Sequence, residues 1–566
     1  MSSVCGAAAP GNEAGNPLAG IGVSPGAAAG PVARLAEPPR LPETDGPEPD
    51  LDAALERGRR ALRTVAELLD ERSARAEGPA ADILLAQSMM VVDPALLDRV
   101  LAALRAGRGL ATAIDVAFGG FRQSLLAAGG YLAERAADLD DLRNRAVAAV
   151  LGVPMPGVPD PGHPYVLVAR DLAPADTATL DPALVRAIVT ELGGPTSHTA
   201  ILAKSLGIPA VVACREAVVL GDGGRVLVDG TSGRVVVDPA TDLVEDAESR
   251  AARRVAELAN SSGPGRTADG ASVSLLVNIG GAGDLAGAAA TDCEGVGLLR
   301  TEFLFLDRAA EPGRAEQRRG YADVFAAFAG RKVVVRTLDA GADKPLGFVD
   351  HGAEPNPALG VRGLRLAVRH PAMLDEQLAA IAAAREDQDA DVWVMAPMVS
   401  TPAEARDFAE RAKKHGLPVA GVMVEVPAAA LRAERVLAGC DFASIGTNDL
   451  GQYTFAADRM AGELAGLLDP WQPALLDLVR CTAAAGTEAG KPVGVCGEAA
   501  GDPLLSLVLV GLGVTSLSMA PPAVAAVRVA LAAHTLAQCE ELADLALTAD
   551  DAVAARDRVA AHARPR

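Results

Sequence analysis

The sequence has no paired cysteines. Its seven, Cys5, Cys214, Cys293, Cys440, Cys481, Cys496 and Cys539, are scattered, odd in number and never spaced C-x-x-C. That excludes a disulfide framework and a zinc site of the finger type, and it points to a reducing cytoplasm. Cations are also scarce: 52 Lys and Arg face 73 Asp and Glu, a formal net charge of −21. So acidic a surface repels nucleic acid except at a local basic patch, which excludes DNA and RNA as general partners. Any site for an anionic substrate must therefore gather arginines locally. An unbroken membrane span is missing as well. Leu504–Val527 carries no charge and is long enough to cross a bilayer, but Gly511, Gly513, Pro521 and Pro522 interrupt it and hydroxyl residues dilute it. It reads as a buried helix followed by a buried strand, so no membrane is expected. Residues 1–19, rich in Ala, Gly and Pro, have neither a basic start nor an apolar core, and read as a disordered tail rather than a signal peptide.

What is present is the composition of several packed cores: 566 residues, half of them apolar, imply three or four domains. Gly20–Leu35 reads as strand, turn and strand, and a Pro- and acid-rich linker follows over Glu37–Asp50. From Leu51 to Val150 apolar residues recur at helical spacing, as in Leu51, Leu55, Leu62, Val65 and Leu69, with further helices near Ala81–Met90, Pro94–Ala106 and Tyr131–Val150. The prolines of Gly152–Pro161 end this bundle. β-rich text then resumes at Tyr165–Ala169, Ala187–Thr190, Ala210–Ala213, Arg225–Asp229 and Arg234–Asp238. Residues 20–36 and 152–240 thus read as one α/β domain, with a helical domain, 37–151, inserted into it. A charged helix and a Ser-Gly-Pro-Gly hinge occupy 241–265, and 546–566 reads as a C-terminal tail or helix.

Residues 266–545 alternate apolar runs with helical segments. The runs are Val273–Val277, Gly295–Leu299, Val333–Arg336, Val392–Ala396, Gly421–Val424, Phe442–Ile445, Val493–Cys496 and Thr515–Met519. Eight parallel strands with intervening helices, over about 250 residues, make a (β/α)8 barrel. The predicted fold class is multidomain α/β, ending in that barrel.

Active sites of such barrels lie at the C-terminal strand ends. Here the second run ends at Arg300, the third at Arg336, the fifth at Glu425 and the seventh at Cys496; the sixth runs into Asn448 and Asp449. Lys344, Arg362 and Arg459 lie in long loops nearby. A single arginine is ordinarily a solvated surface charge. Two at consecutive strand ends, after VGLLRT and VVVRT, call for an anionic ligand, because an unpaired buried charge is costly. Glu425 and Asp449 beside them suit Mg²⁺, which takes one or two carboxylates plus substrate phosphate; the alternative is an ion pair with the same arginines. Cys496, between Gly494 and Gly497, is positioned to serve as an acid, since a thiol near pKa ~8.5 is largely protonated at neutral pH.

The first half holds a second signal, Gly193-Gly194-Pro195-Thr196-Ser197-His198-Thr199-Ala200. A diglycine turn leads to hydroxyl residues that can cap a helix running on to a stop at Gly207. His198 then falls in the first turn, where free amides and the dipole stabilise an added phosphoryl group.

The segments GGPTSHTAILAKSLGIPAVV, EGVGLLRTEFLF, VVVRTLDAGADK, NPALGVRGLR, GVMVEVPAAA, DFASIGTNDLGQYTFAADR and GVCGEAAGD resemble the phosphoenolpyruvate-utilising enzymes, and among them the Enzyme I family of the bacterial phosphotransferase system, over nearly the whole chain. The resemblance implies that His198 is phosphorylated from phosphoenolpyruvate on Nε2. It implies that Arg300, Arg336, Arg459, Asn448 and Asp449 bind that substrate, with Arg362 and Lys344 in the same cleft. Glu425 and Asp449 would hold Mg²⁺, and Cys496 would protonate the enolate to pyruvate. The inserted bundle would dock the phosphocarrier HPr, and the barrel would form a homodimer. Pro195 stands where many relatives have arginine, and Ala342 where many have glycine. Two other readings stay open: a regulatory relative that phosphorylates a different carrier, and a phosphoenolpyruvate synthase or pyruvate phosphate dikinase. The latter needs a nucleotide-binding domain ahead of the histidine, where no Gly-rich phosphate loop is found.

Overall fold

The computed structural model describes residues 17–563, apart from 36–38, 43–44, 74–84, 86, 129–135, 154–156, 160, 173–179, 195–196, 307, 343, 351, 353, 387 and 460–461. The expected helix starts at Ala81 and Tyr131, Pro195, and most of the N-terminal tail fall outside the described residues. The chain divides into two compact units, 1–253 and 254–566.

The first unit contains an eight-stranded sheet. Its strands are β1 (Pro17–Ala19), β2 (Ile21–Ser24), β3 (Ala27–Arg34), β4 (Tyr165–Ala169), β5 (Val185–Thr190), β6 (Ala210–Val212), β7 (Arg225–Asp229) and β8 (Arg234–Val237), in the order β1-β8-β7-β3-β4-β5-β6-β2. β3 pairs in parallel with β4 and antiparallel with β7, so text on both sides of the helical segment builds one sheet. β1 corrects one expectation. Pro17–Ala19, read as the end of a disordered tail, pairs with Arg234–Val236, because Leu18 has an apolar slot to fill and is buried there.

Between β3 and β4 lie helices α1 (Leu51–Ser73), α2 (Pro94–Arg105), α3 (Leu110–Ala128) and α4 (Ala136–Leu151). They bury their own core of Leu62, Val65, Leu69, Val100, Leu104, Ile114, Phe118 and Leu142. The acidic linker ahead of α1 is tied into this bundle. Asp45 accepts the Thr112 amide and Glu48 the Leu110 amide, which caps the start of α3.

The second unit is a closed barrel of eight parallel strands: β9 (Ser274–Ile279), β10 (Gly295–Leu299), β11 (Lys332–Arg336), β12 (Asp391–Ala396), β13 (Ala420–Val424), β14 (Ala443–Ile445), β15 (Val493–Cys496) and β16 (Ser516–Met519). All eight predicted runs are strands. Two-residue alternation sends Leu298, Val334, Met395, Met423 and Cys496 into the barrel lumen, while Val333, Val335, Val394, Val422 and Val495 face the helices. The same parity carries Arg300, Arg336 and Glu425, each two positions past a lumen residue, to the lumen side of the strand ends.

The uncharged Leu504–Val527 stretch is a helix over Pro503–Gly511 capped by Asp502, then β16. Among the described residues no single helix is long and apolar enough to cross a membrane. The Ser-Gly-Pro-Gly segment is tied by side chains from elsewhere in the chain. Gly263 and Gly265 donate their amides to Asp292 and Glu294, and Arg528 donates to the Ser261 carbonyl. Ser261–Gly265 is therefore fastened to the second unit by charged partners that composition could not reveal.

Candidate active site

At the barrel mouth, side chains at or beyond the ends of four strands, β10, β11, β13 and β14, meet in one buried network. Arg336 donates to Glu302 and lies 3.4 Å from Asp339 Oδ2 and 3.8 Å from Glu425 Oε1. Arg362 makes a fork on Asp339, at 2.8 and 3.3 Å, and reaches Asp449 Oδ1 at 3.4 Å. Each of these six residues is buried. Four carboxylates thus share two guanidiniums in a region shielded from water, where uncompensated charge is expensive.

The electrostatics record this imbalance. Burial alone would raise the Asp339 carboxyl, but Arg336 and Arg362 outweigh burial and hold it at about 2. Glu425 goes the other way: burial, then Asp339 and Asp449, push it up to about 8 against the pull of Arg336 and of the Met398 amide. Arg336 Nε, Glu302 Oε2 and Thr447 Oγ1 at this mouth are buried with no hydrogen-bond partner among the described residues. The network therefore has unused valences for a ligand.

Cys496 lies below, at the lumen face of β15. Ser444 Oγ donates to its sulfur at 2.9 Å, and the thiol reaches the Ile445 carbonyl at 3.6 Å. Burial, aided by Glu425 and opposed by the Ser444 bond, pushes the thiol up to about 11, so it holds its proton at neutral pH. Gly497 next to it allows a close approach: a Cβ there would sit 2.3 Å from Thr447 Oγ1. The strand ends of β14 and β15 are thereby brought together.

Of the residues expected from sequence, Arg336, Arg362, Glu425 and Asp449 form the network itself. Lys344 is half-buried and close enough to Asp339 to help lower its carboxyl. Arg300 and Asn448 are exposed at the rim, with Arg300 near enough to act on the Cys496 thiol. Arg459 is exposed in the loop after the Thr447–Thr454 helix; among the described residues no contact joins it to the cluster. Sequence reasoning gave no role to Glu302 and Asp339, although both follow a strand-end arginine closely. It missed Gln377 altogether. That buried amide donates to Thr301 Oγ1 at 3.1 Å and Tyr321 OH at 3.0 Å, and accepts the Leu338 amide at 3.0 Å. Thr301 in turn donates to the Arg336 carbonyl at 3.0 Å, so Gln377 ties the ends of β10 and β11 together.

In the first unit, helix α5 (His198–Leu206) begins as expected. Ser197 caps it by accepting the Ala200 amide at 3.3 Å, and Gly207 closes it at φ 66°. Gly193 turns at φ 96°, and Thr199, one residue past the histidine, donates to Asp171 at 3.4 Å.

The chain is 53% identical over 539 residues to a phosphoenolpyruvate-protein phosphotransferase of Streptomyces coelicolor, covering 94% of this chain and 96% of that one. The chain belongs to the phosphoenolpyruvate-utilising enzymes. Within that family, residues 255–536 match the PEP-binding domain, 161–233 the mobile domain and 19–135 the N-terminal domain. A phosphoenolpyruvate-protein phosphotransferase of Haloferax volcanii is 40% identical, over 94% of this chain and 97% of that one. A multiphosphoryl transfer protein of Xanthomonas campestris is 38% identical, over 94% of this chain but 65% of its own length. The barrel with the buried arginine network is thus the family's PEP-binding domain, and the His198 helix lies in its mobile domain.

Proposed function

We propose that the chain is a phosphoenolpyruvate-protein phosphotransferase: it accepts the phosphoryl group of phosphoenolpyruvate on His198, releases pyruvate and passes the group to the phosphocarrier HPr, the first step of phosphotransferase sugar uptake. The observation that carries this reading is the buried network of Arg336, Arg362, Asp339, Glu425 and Asp449 beside a protonated Cys496. Phosphoryl transfer needs charge neutralisation and positioning more than covalent help. Arg336 answers the substrate's negative charge from inside. Arg300, Arg459 and Lys344 do so from the rim, with Asn448 and Asp449 as polar partners and Arg362 holding Asp339 and Asp449 in place.

In the transfer, Nε2 of His198 attacks phosphorus and the bond from phosphorus to the enol oxygen breaks. Its electron pair stays on the departing enolate. The enolate carbon then takes the proton of Cys496, giving pyruvate. His198 belongs to the first unit and the cleft to the second, so the histidine domain must swivel between the barrel and the carrier. Since Ser261–Gly265 is fastened to the barrel unit, that motion bends ahead of it. Cross-linking the two units is expected to abolish autophosphorylation or transfer to HPr; survival of both contradicts a swivel.

The donor set fits Mg²⁺. Glu425 and Asp449 would hold it, since the surplus of carboxylates over guanidiniums leaves Glu425 pushed up to about 8, and a hard divalent cation takes few protein carboxylates. Bound there, the ion supplies further neutralisation of the phosphate. The ion-pair alternative coexists with this, as both carboxylates touch arginines in the structure. The inserted bundle docks HPr, the barrel pairs with a second copy, and the enzyme works in the cytoplasm. The test of the whole reading is labelled phosphoenolpyruvate with the metal. Acid-labile label is expected on the wild type and absent from His198→Ala; label persisting on the alanine variant contradicts the acceptor. Which carriers accept the group separates a sugar-uptake enzyme from a regulatory relative.

A further inference from the structure

β12 brings no charged side chain to the strand ends. Its contribution is a strained backbone just beyond its last residue. Met398, 1% exposed, has φ 59°, in the left-handed region that a residue with a Cβ adopts at a cost. Such strain persists only where the surroundings hold it, and the surroundings here are specific. The Met398 amide donates to Glu425 Oε2 at 2.8 Å, while Oε1 of the same carboxylate lies 3.8 Å from Arg336. The Met398 carbonyl accepts Ser400 Oγ at 3.3 Å, and that hydroxyl accepts Arg365 at 3.2 Å. Pro397 accepts the Leu364 amide at 3.4 Å. The Met398 side chain lies over Gly363: a Cβ on that glycine would come 3.1 Å from Met398 Cγ and 3.2 Å from Asp339 Oδ1.

We propose that Met398 is a positioning residue for the candidate cation site, its left-handed backbone aiming one amide at Glu425. The inference rests on the reading of Glu425 as a cation ligand. With ordinary right-handed or extended torsions at this position the amide would turn away, leaving Oε2 without its donor. The residue type suits the role, since methionine is unbranched at Cβ, whereas valine or isoleucine at positive φ is strongly disfavoured.

The test is Mn²⁺ binding to the full-length protein, read by electron paramagnetic resonance, with thermal melting run alongside. Outer groups that orient a metal ligand are worth about 10–100-fold in affinity, so Met398→Val is expected to weaken Mn²⁺ by about that factor. Met398→Gly, which adopts positive φ freely, is expected to stay within about threefold of wild type despite losing the side chain. Val binding like wild type, or Gly weakened as much as Val, overturns the positioning role. If Met398→Val does not fold, Met398→Gly decides alone: affinity within about threefold supports the role and a loss of about tenfold overturns it. Glu425→Gln separates the two claims. Unchanged Mn²⁺ affinity in that variant removes the metal reading itself, whereas weakened binding there with a wild-type Met398→Val removes only the present inference.

Discussion

The two halves of the chemistry are built in opposite ways. Around His198 the helix is set by capping contacts short in sequence, with Ser197 at its start and Gly193 and Gly207 bracketing it, while Thr199–Asp171 and the Ser24 bond to the Ala203 carbonyl seat it on the sheet. At the barrel mouth, Arg336 reaches 34 residues back to Glu302, and Arg362 reaches 87 residues forward to Asp449. An acceptor that must be presented to two partners is served by a locally capped helix seated on a sheet. A cleft that must hold several like charges out of water needs a closed barrel to force them together. The first can be written in about ten residues; the second exists only once eight strands have closed.

The sharpest way to break that contrast is at Cys496. Cys496→Ala is expected to slow pyruvate formation by about 10²–10⁴-fold while substrate binding is kept, measured by rapid quench against a binding titration. Burial pushes the thiol up to about 11, and the protonated form is the donor. The chemical step should therefore survive through neutral pH and fall only as pH rises toward 11. A fall centred near the ordinary thiol value, about 8.5, contradicts the buried-acid assignment.

Arg362→Met comes next. It leaves Asp449 buried without its guanidinium and Asp339 with Arg336 alone, at a cost of about 3–5 kcal/mol in barrel stability, readable by urea denaturation. The acid limb depends on the same network. Asp339 is lowered from 3.8 to about 2, so its contribution is complete above pH ~4 and is lost as pH falls through 2. Gln377→Leu should be milder. It removes the donor to the Thr301 and Tyr321 hydroxyls and strands the Leu338 amide, costing about 1–3 kcal/mol, with kcat/KM for phosphoenolpyruvate reduced about tenfold. Smallest is Ser197→Ala, worth about 1 kcal/mol of local helix stability, seen as faster amide exchange over Ala200–Leu206 with substrate affinity unchanged. If Ser197→Ala weakened substrate binding as much as Gln377→Leu, the division of labour would be wrong.

The same contrast explains what could be read from the sequence. Apolar runs located all eight barrel strands and put Arg300, Arg336 and Glu425 at their ends; the side of the barrel they face came only with the structure. Glu302 and Asp339 were in plain view beside the arginines but had no assignable role, because which carboxylate an arginine meets depends on the neighbouring strand. Gln377 and Met398 left no trace. One is an amide in the middle of the Pro371–Glu386 helix, and the other acts through φ and a backbone N–H, neither of which residue type announces. At Ser261–Gly265 composition showed only flexible residues, and not the bonds from Asp292, Glu294 and Arg528 that arrive from elsewhere in the chain.

The central claim is that recognition and acceptance are separate sites. Calorimetric titration of phosphoenolpyruvate with Mg²⁺ into His198→Ala tests it most directly. The account predicts a Kd within about threefold of wild type, a difference under about 0.7 kcal/mol, because every group proposed to bind the substrate lies on the barrel. A loss of affinity of about tenfold or more, about 1.4 kcal/mol, would mean that the histidine helps to build the binding site and would contradict the separation.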